Sequence, residues 1–140
     1  MGLKDFMSTD LVTVPLGATL DRAVDEMLGA RVGSVLVVDG DEPVGIITET
    51  DVLAAGSGTE RPFGDIPVSR AMSPNLVTME PDADPEDAIE RMQEYGIKKL
   101  VVTEDGTLSG IVTTTDLVLY RTDLLEEVTA IDRQQSYPDT

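Results

Sequence analysis

Residues 7–53 recur without a gap, at an offset of 65, as residues 72–118, and fourteen positions are identical between the copies. The identities include Met7/Met72, Thr13/Thr78, Ala23/Ala88, Met27/Met92, Gly45/Gly110, Thr48/Thr113 and Asp51/Asp116. A repeat of this length constrains the fold strongly, because the architecture has to be made of one unit used twice. A chain of 140 residues has room for two half-domains, each with too little core to stand alone. The repeat therefore predicts that the copies bury a shared face. The expected boundaries are 1–60 for the first unit with its N-terminal segment, 61–71 for a linker, 72–122 for the second unit, and 123–140 for a helical extension and tail.

Each copy reads as β-α-β-β-α. In the first, residues 11–14 suit a short strand, and Thr19 is placed to cap a helix whose Leu20, Ala23, Val24, Met27 and Leu28 fall on one apolar stripe. Residues 34–39 and 44–48 are apolar, β-branched runs separated by Gly40-Asp41-Glu42, which predicts a hairpin, with a second helix from about Thr50. In the second copy, strands are expected at 76–79, 100–103 and 108–113. Its first helix is opened by Asp84 and Pro85 and carries the stripe Ala88, Ile89, Met92 and Tyr95. Residues 56–62 have linker composition. Leu124, Leu125, Val128 and Ile131 would let residues 119–131 continue the last helix, ahead of a frayed tail.

Composition removes several function classes. With no cysteine and no histidine there are no disulfides, no thiol chemistry, no Ser/His triad and no imidazole metal site. The longest apolar runs are far below the ~20 residues of a membrane span, and the N-terminus has no signal-peptide pattern, so a soluble, cytoplasmic protein is expected. A net charge of −17 opposes nucleic acid and anionic membranes as partners. The 27 acids against seven Arg and three Lys resemble the balance of halophilic proteins, whose self-repulsion is screened by molar salt; an ordinary acidic cytosolic protein is the alternative. Asp39, Asp41 and Glu42 cluster in a turn without the spacing of a calcium loop, so no metal site is expected.

Both copies close on a glycine strand ending in Thr-x-x-Asp: Gly45 to Asp51 and Gly110 to Asp116. Two explanations stand side by side. Thr with an acid three residues later is a capping box for the following helix. A carboxylate at a strand end can also accept hydrogen bonds from a ribose diol, with the glycine admitting a ligand or backbone close to the strand.

The in-register repeats, the Met-Ser openings Met7-Ser8 and Met72-Ser73, and the closing Gly-Ile-x-Thr-x-x-Asp resemble a tandem pair of cystathionine-β-synthase-type (CBS) domains, a Bateman module, over residues 3–122. The resemblance implies an α+β fold of two motifs about a pseudo-twofold axis. It also implies a non-catalytic regulatory role, with an adenosine-containing ligand (AMP, ADP or ATP type) in clefts between the copies. Carried over by position, the first cleft would use Asp51 for ribose hydroxyls, Thr48 for ribose or phosphate, Met72 and Leu76 beside the base, and Lys98 and Lys99 for phosphates. The second would use Thr113 and Asp116 with Met7, Leu11 and Val12, and would have Gly33 and Ser34 where the first has its lysines. The expected asymmetry follows: a phosphorylated ligand in the first cleft, weak binding, a neutral nucleoside or nothing in the second. No catalytic cofactor is implied, although Mg²⁺ could accompany a nucleotide. A homodimer through the Leu20/Met27 and Ile89/Met92 stripes and an effector protein are the expected partners. The competing expectation is a structural interaction domain with vacant clefts.

Overall fold

The computed structural model of the protein describes residues 1–118 and 120. The first copy comprises β1 (Thr13–Pro15), α1 (Leu20–Ala30), β2 (Ser34–Asp39), β3 (Glu42–Thr48) and α2 (Glu49–Gly58). A short helix α3 (Val68–Ala71) precedes β4 (Thr78–Met79), α4 (Pro85–Tyr95), β5 (Lys99–Glu104) and β6 (Thr107–Thr113), and residues 114–118 begin α5. The β-α-β-β-α order is thus present twice. Each copy forms its own three-stranded sheet, ordered β1-β2-β3 and β4-β5-β6, with the first pair parallel and the second antiparallel. The hairpin register shifts at the same repeat position in both, between Val37 and Val38 and between Val102 and Thr103.

Two hydrophobic cores result, and each is completed by chain that precedes the other copy. Ile66 and Val68 are buried with Val14, Leu20, Ala23, Met27, Val35, Val37 and Ile47 of the first copy. Leu3 is buried with Ala88, Met92, Leu100, Val102, Val112 and Leu117 of the second. Backbone bonds fix the exchange: Leu3 N–H donates to Ala83 O at 3.0 Å, and its repeat equivalent Val68 N–H donates to Ala18 O at 3.0 Å. Ser8 then bridges to Ile111 of β6, and Ser73 to Ile46 of β3. Contacts that map onto each other when the copies are interchanged define a pseudo-twofold relation. Leu108 N–H donates to Asp41 O at 2.9 Å without a counterpart, since the equivalent residue in the first copy is Pro43, which has no N–H.

Several expectations are revised. Residues 61–71, expected to link, carry Ile66 and Val68 into the first core, and the N-terminal segment assigned to the first unit completes the second. Helix α2 runs through Gly56 to Gly58 and is closed by Thr59, whose N–H and hydroxyl both donate to Ala55 O. Leu28 and Tyr95, expected on inward stripes, are 72% and 56% exposed, so burial on each helix ends at Met27 and Met92. Thr19 does not accept a backbone N–H; its hydroxyl donates to Asp21. The expected continuation through Leu124, Leu125, Val128 and Ile131 falls outside the described residues. Within them, the Tyr120 ring meets Phe6 edge-on at 5.2 Å. No helix among the described residues is long and apolar enough to cross a membrane.

Candidate functional site

Both Thr-x-x-Asp segments form complete capping boxes. Asp51 Oδ2 accepts from Thr48 N–H at 2.8 Å and from the Thr48 hydroxyl at 3.0 Å, while Asp51 N–H donates to Thr48 Oγ1 at 3.3 Å. Thr113 and Asp116 repeat the pattern at 2.9, 3.0 and 3.3 Å. Such a cap contributes about 1 kcal/mol to a helix. In both boxes the side-chain bonds fall on Oδ2, and Oδ1 accepts none among the described residues.

The conserved spacing of methionine and glycine between the copies has a packing cause. A Cβ on Gly45 would lie 2.9 Å from Met72 Cγ, and one on Gly110 would lie 2.6 Å from Met7 Sδ. The glycines therefore admit a methionine from the chain leading into the other copy, not a ligand. Met72 packs against the first core and Met7 against the second.

Two clefts lie between the copies. The first, about 500 Å³, is walled by Thr48, Glu49 and Thr50 at the start of α2, and by Ser73, Asn75, Leu76, Val77, Ile97, Lys98 and Lys99 across from them. The second, about 310 Å³, is walled by Ser8, Asp10, Leu11 and Val12, by Val32, Gly33 and Ser34, and by Lys99, Ile111 and Thr113. Thr48, Leu76, Lys98 and Lys99 are thus brought together as expected for the first cleft, and Leu11, Val12, Gly33, Ser34 and Thr113 for the second. Met72, Asp51, Met7 and Asp116 do not line them: the methionines cover the glycines and the carboxylates turn back onto the caps. Glu49, Asn75 and Asp10 are wall residues that sequence reasoning missed; Asn75 and Asp10 occupy one repeat position, which was a usable signal.

One placement corrects the expected asymmetry. Lys99 borders both clefts, and its Nζ donates to Ser34 Oγ at 2.6 Å. The second cleft is therefore not without a lysine. Strand register explains this: Ser34 lies opposite Thr48, and Lys99 lies opposite Thr113, the second cleft's own threonine. The first wall carries Lys98, Lys99 and Glu49, while the second carries Lys99 and Asp10. Lys98 is exposed and Lys99 half-buried, so the asymmetry resides in Lys98.

The CBS domain profile matches residues 3–58 and 64–128, both halves of the repeat. The chain belongs to the CBS domain family. It is similar to the CBS domain-containing protein YhcV of Bacillus subtilis, 32% identical over 117 residues that span 84% of this chain and 83% of YhcV. Among solved structures, an uncharacterized conserved protein from Pyrococcus horikoshii superposes with a TM-score of 0.74 at 30% identity, covering 86% of this chain and 91% of that one. The CBS domain protein PAE2072 from Pyrobaculum aerophilum, complexed with AMP, superposes with a TM-score of 0.78 at 24% identity, covering 92% and 99%. At that identity the likeness is one of fold.

Proposed function

We propose that this CBS pair is a non-catalytic regulatory module that binds an adenosine-containing ligand of the AMP, ADP or ATP type between its copies. The observation that carries the reading is the first cleft. Across about 500 Å³, the threonine-rich start of α2 faces two lysines from the other copy, with Leu76, Val77 and Ile97 supplying apolar wall. Such a space combines a surface for a base with point charges for phosphate oxygens. AMP bound by PAE2072, which shares the fold, supports the choice of ligand. In this reading Lys98 and Lys99 take the phosphate, with Mg²⁺ free to accompany a longer phosphate chain, and Thr48 takes a ribose or phosphate oxygen. Asp51 stands behind the cleft wall, holds Thr48 through Oδ2, and offers Oδ1 to a ribose hydroxyl that reaches past Thr48.

The signal passes to a second copy or an effector protein. Of the stripes expected to serve both core and homodimer, Leu20, Met27 and Met92 are buried in the cores and Ile89 is half-buried. Among the described residues, Leu28, Val32 and Leu53 are exposed together in the groove between α1 and α2, and the homodimer is assigned there. One observation favours the alternative of a structural interaction domain with vacant clefts: the capping boxes and the Gly/Met contacts account for the repeated motif without any ligand.

Thermal unfolding decides between them. A ligand that binds only the folded state stabilises by RT ln(1 + [L]/Kd), about 2.7 kcal/mol at a hundredfold excess over Kd. AMP, ADP or ATP is expected to raise the midpoint at millimolar concentration. Absence of a shift with any of them, and with S-adenosylmethionine and NAD, would establish the vacant-cleft alternative.

A further inference from the structure

Ser34 and Lys99 are the same position of the repeat, 65 residues apart, and they touch. A residue in contact with its own duplicate must sit beside the pseudo-twofold axis, and whatever sits on that axis faces both clefts alike. Lys99 borders both for this reason. Two lysines there would repel each other; two serines would leave neither cleft a cation at the axis. The divergence to one Lys and one Ser leaves a single ammonium between two sites. It is held by a neutral hydroxyl, a partner that a phosphate oxygen outcompetes because it adds the attraction of opposite charges to the hydrogen bond.

We infer that Lys99 is a shared anion-contacting residue, so that a phosphate engaged in one cleft withdraws it from the other and the two sites bind phosphorylated ligands with negative coupling. The inference rests on the adenosine-ligand reading above. The walls give the coupling a direction. When Lys99 turns to the first cleft, the second keeps only Asp10 as a charged wall residue; when it turns to the second, the first still has Lys98 against Glu49. The first cleft therefore fills first, and its filling leaves the second selective for a ligand without phosphate. Coupling of this kind is reciprocal, and it vanishes for a neutral nucleoside, which has nothing for the ammonium to hold.

The test compares the second cleft with the first filled and with the first blocked. Asn75→Trp places an indole in the first cleft without a phosphate; Leu76→Trp does the same from the same wall and repeats the measurement if Asn75→Trp does not fold, circular dichroism reporting folding. Calorimetric titration with AMP is expected to give a second-cleft affinity about tenfold higher in the blocked variant than for the second binding step of the unmodified chain, within the 5- to 150-fold usual for coupled sites. Titration with adenosine is expected to show no such gap. Adding Lys99→Met brings AMP down to the adenosine affinity and closes the gap, whereas Ser34→Lys, which supplies a second ammonium, closes it at the higher affinity. Equal second-cleft affinities with the first filled or blocked would overturn the coupling. So would a gap that persists or deepens in Lys99→Met, the mark of direct phosphate repulsion. Either result leaves AMP binding intact; loss of binding for AMP and adenosine alike in the unmodified chain would instead remove the functional reading itself.

Discussion

At the scale of single residues, one carboxylate stands between stability and ligand binding. Asp51 closes a capping box through Oδ2 and has Oδ1 to spare. Asp51→Ala removes both functions and cannot separate them. Asp51→Asn keeps an oxygen for the Thr48 N–H and puts an amide NH2 where Oδ1 stood, so that a ribose diol meets a neutral donor in place of a charged acceptor. It is expected to lower unfolding free energy by about 0.3–1 kcal/mol, the loss of a negative charge in the first turn of α2. AMP affinity is expected to fall about tenfold, since a hydrogen bond to a charged group contributes about 1.5–3 kcal/mol against about 1 for a neutral one. Urea unfolding and calorimetry on the same sample check it; unchanged affinity would make Asp51 a cap and nothing more. The box could be read from Thr-x-x-Asp alone because a cap is local, made within four residues. What covers Gly45 could not. The sequence shows Met7/Met72 and Gly45/Gly110 only as repeated identities, and the contact joining them crosses from one copy to the other.

At the scale of elements, the long helices and the hairpins were readable because burial imposes a period on them: α1 and α4 bury Ala23 and Met27 or Ala88 and Met92 at helical spacing, and β2 and β5 are continuous apolar runs. Segments too short for a period were not. The four-residue α3 and the turn at Leu3–Asp5 each contribute one fully buried anchor, Val68 and Leu3, and no window shows which core receives it. Their exchange gives a directional expectation. Leu3→Ala is expected to cost about 2–5 kcal/mol and Val68→Ala somewhat less, as buried truncations do. In native-state hydrogen exchange, Leu3→Ala should lose protection first in β5 and β6, although residue 3 precedes the first copy; Val68→Ala should lose it first in β2 and β3. Loss confined to the copy adjacent in sequence would contradict the exchange.

At the scale of the whole molecule, the repeat announced two related units and the family resemblance an axis between them, but not which residues meet on that axis, since those are 65 apart in the chain. Ser34 and Lys99 illustrate this: as letters they differ, and as neighbours they make one lysine common to two clefts. The same scale governs the response to salt, because a charge of −17 is spread over the entire chain while the cations at the clefts are few. Raising the salt from about 0.1 M to about 1 M shortens the Debye length from ~10 Å to ~3 Å. Self-repulsion among the carboxylates weakens, so the ligand-free protein is expected to unfold at higher temperature in potassium chloride. The attraction of Lys98 for a phosphate weakens in the same medium, since that side chain is exposed; Lys99 is half-buried and is screened less. The two trends oppose each other: as the ligand-free midpoint climbs, the further rise produced by AMP should shrink, while the rise produced by adenosine, which owes nothing to the lysines, should hold. Lys98→Met should therefore flatten the salt dependence of AMP affinity more than Lys99→Met does. A salt series of unfolding midpoints with and without each ligand measures all of this. Parallel decline for AMP and adenosine would mean that neither lysine takes the phosphate.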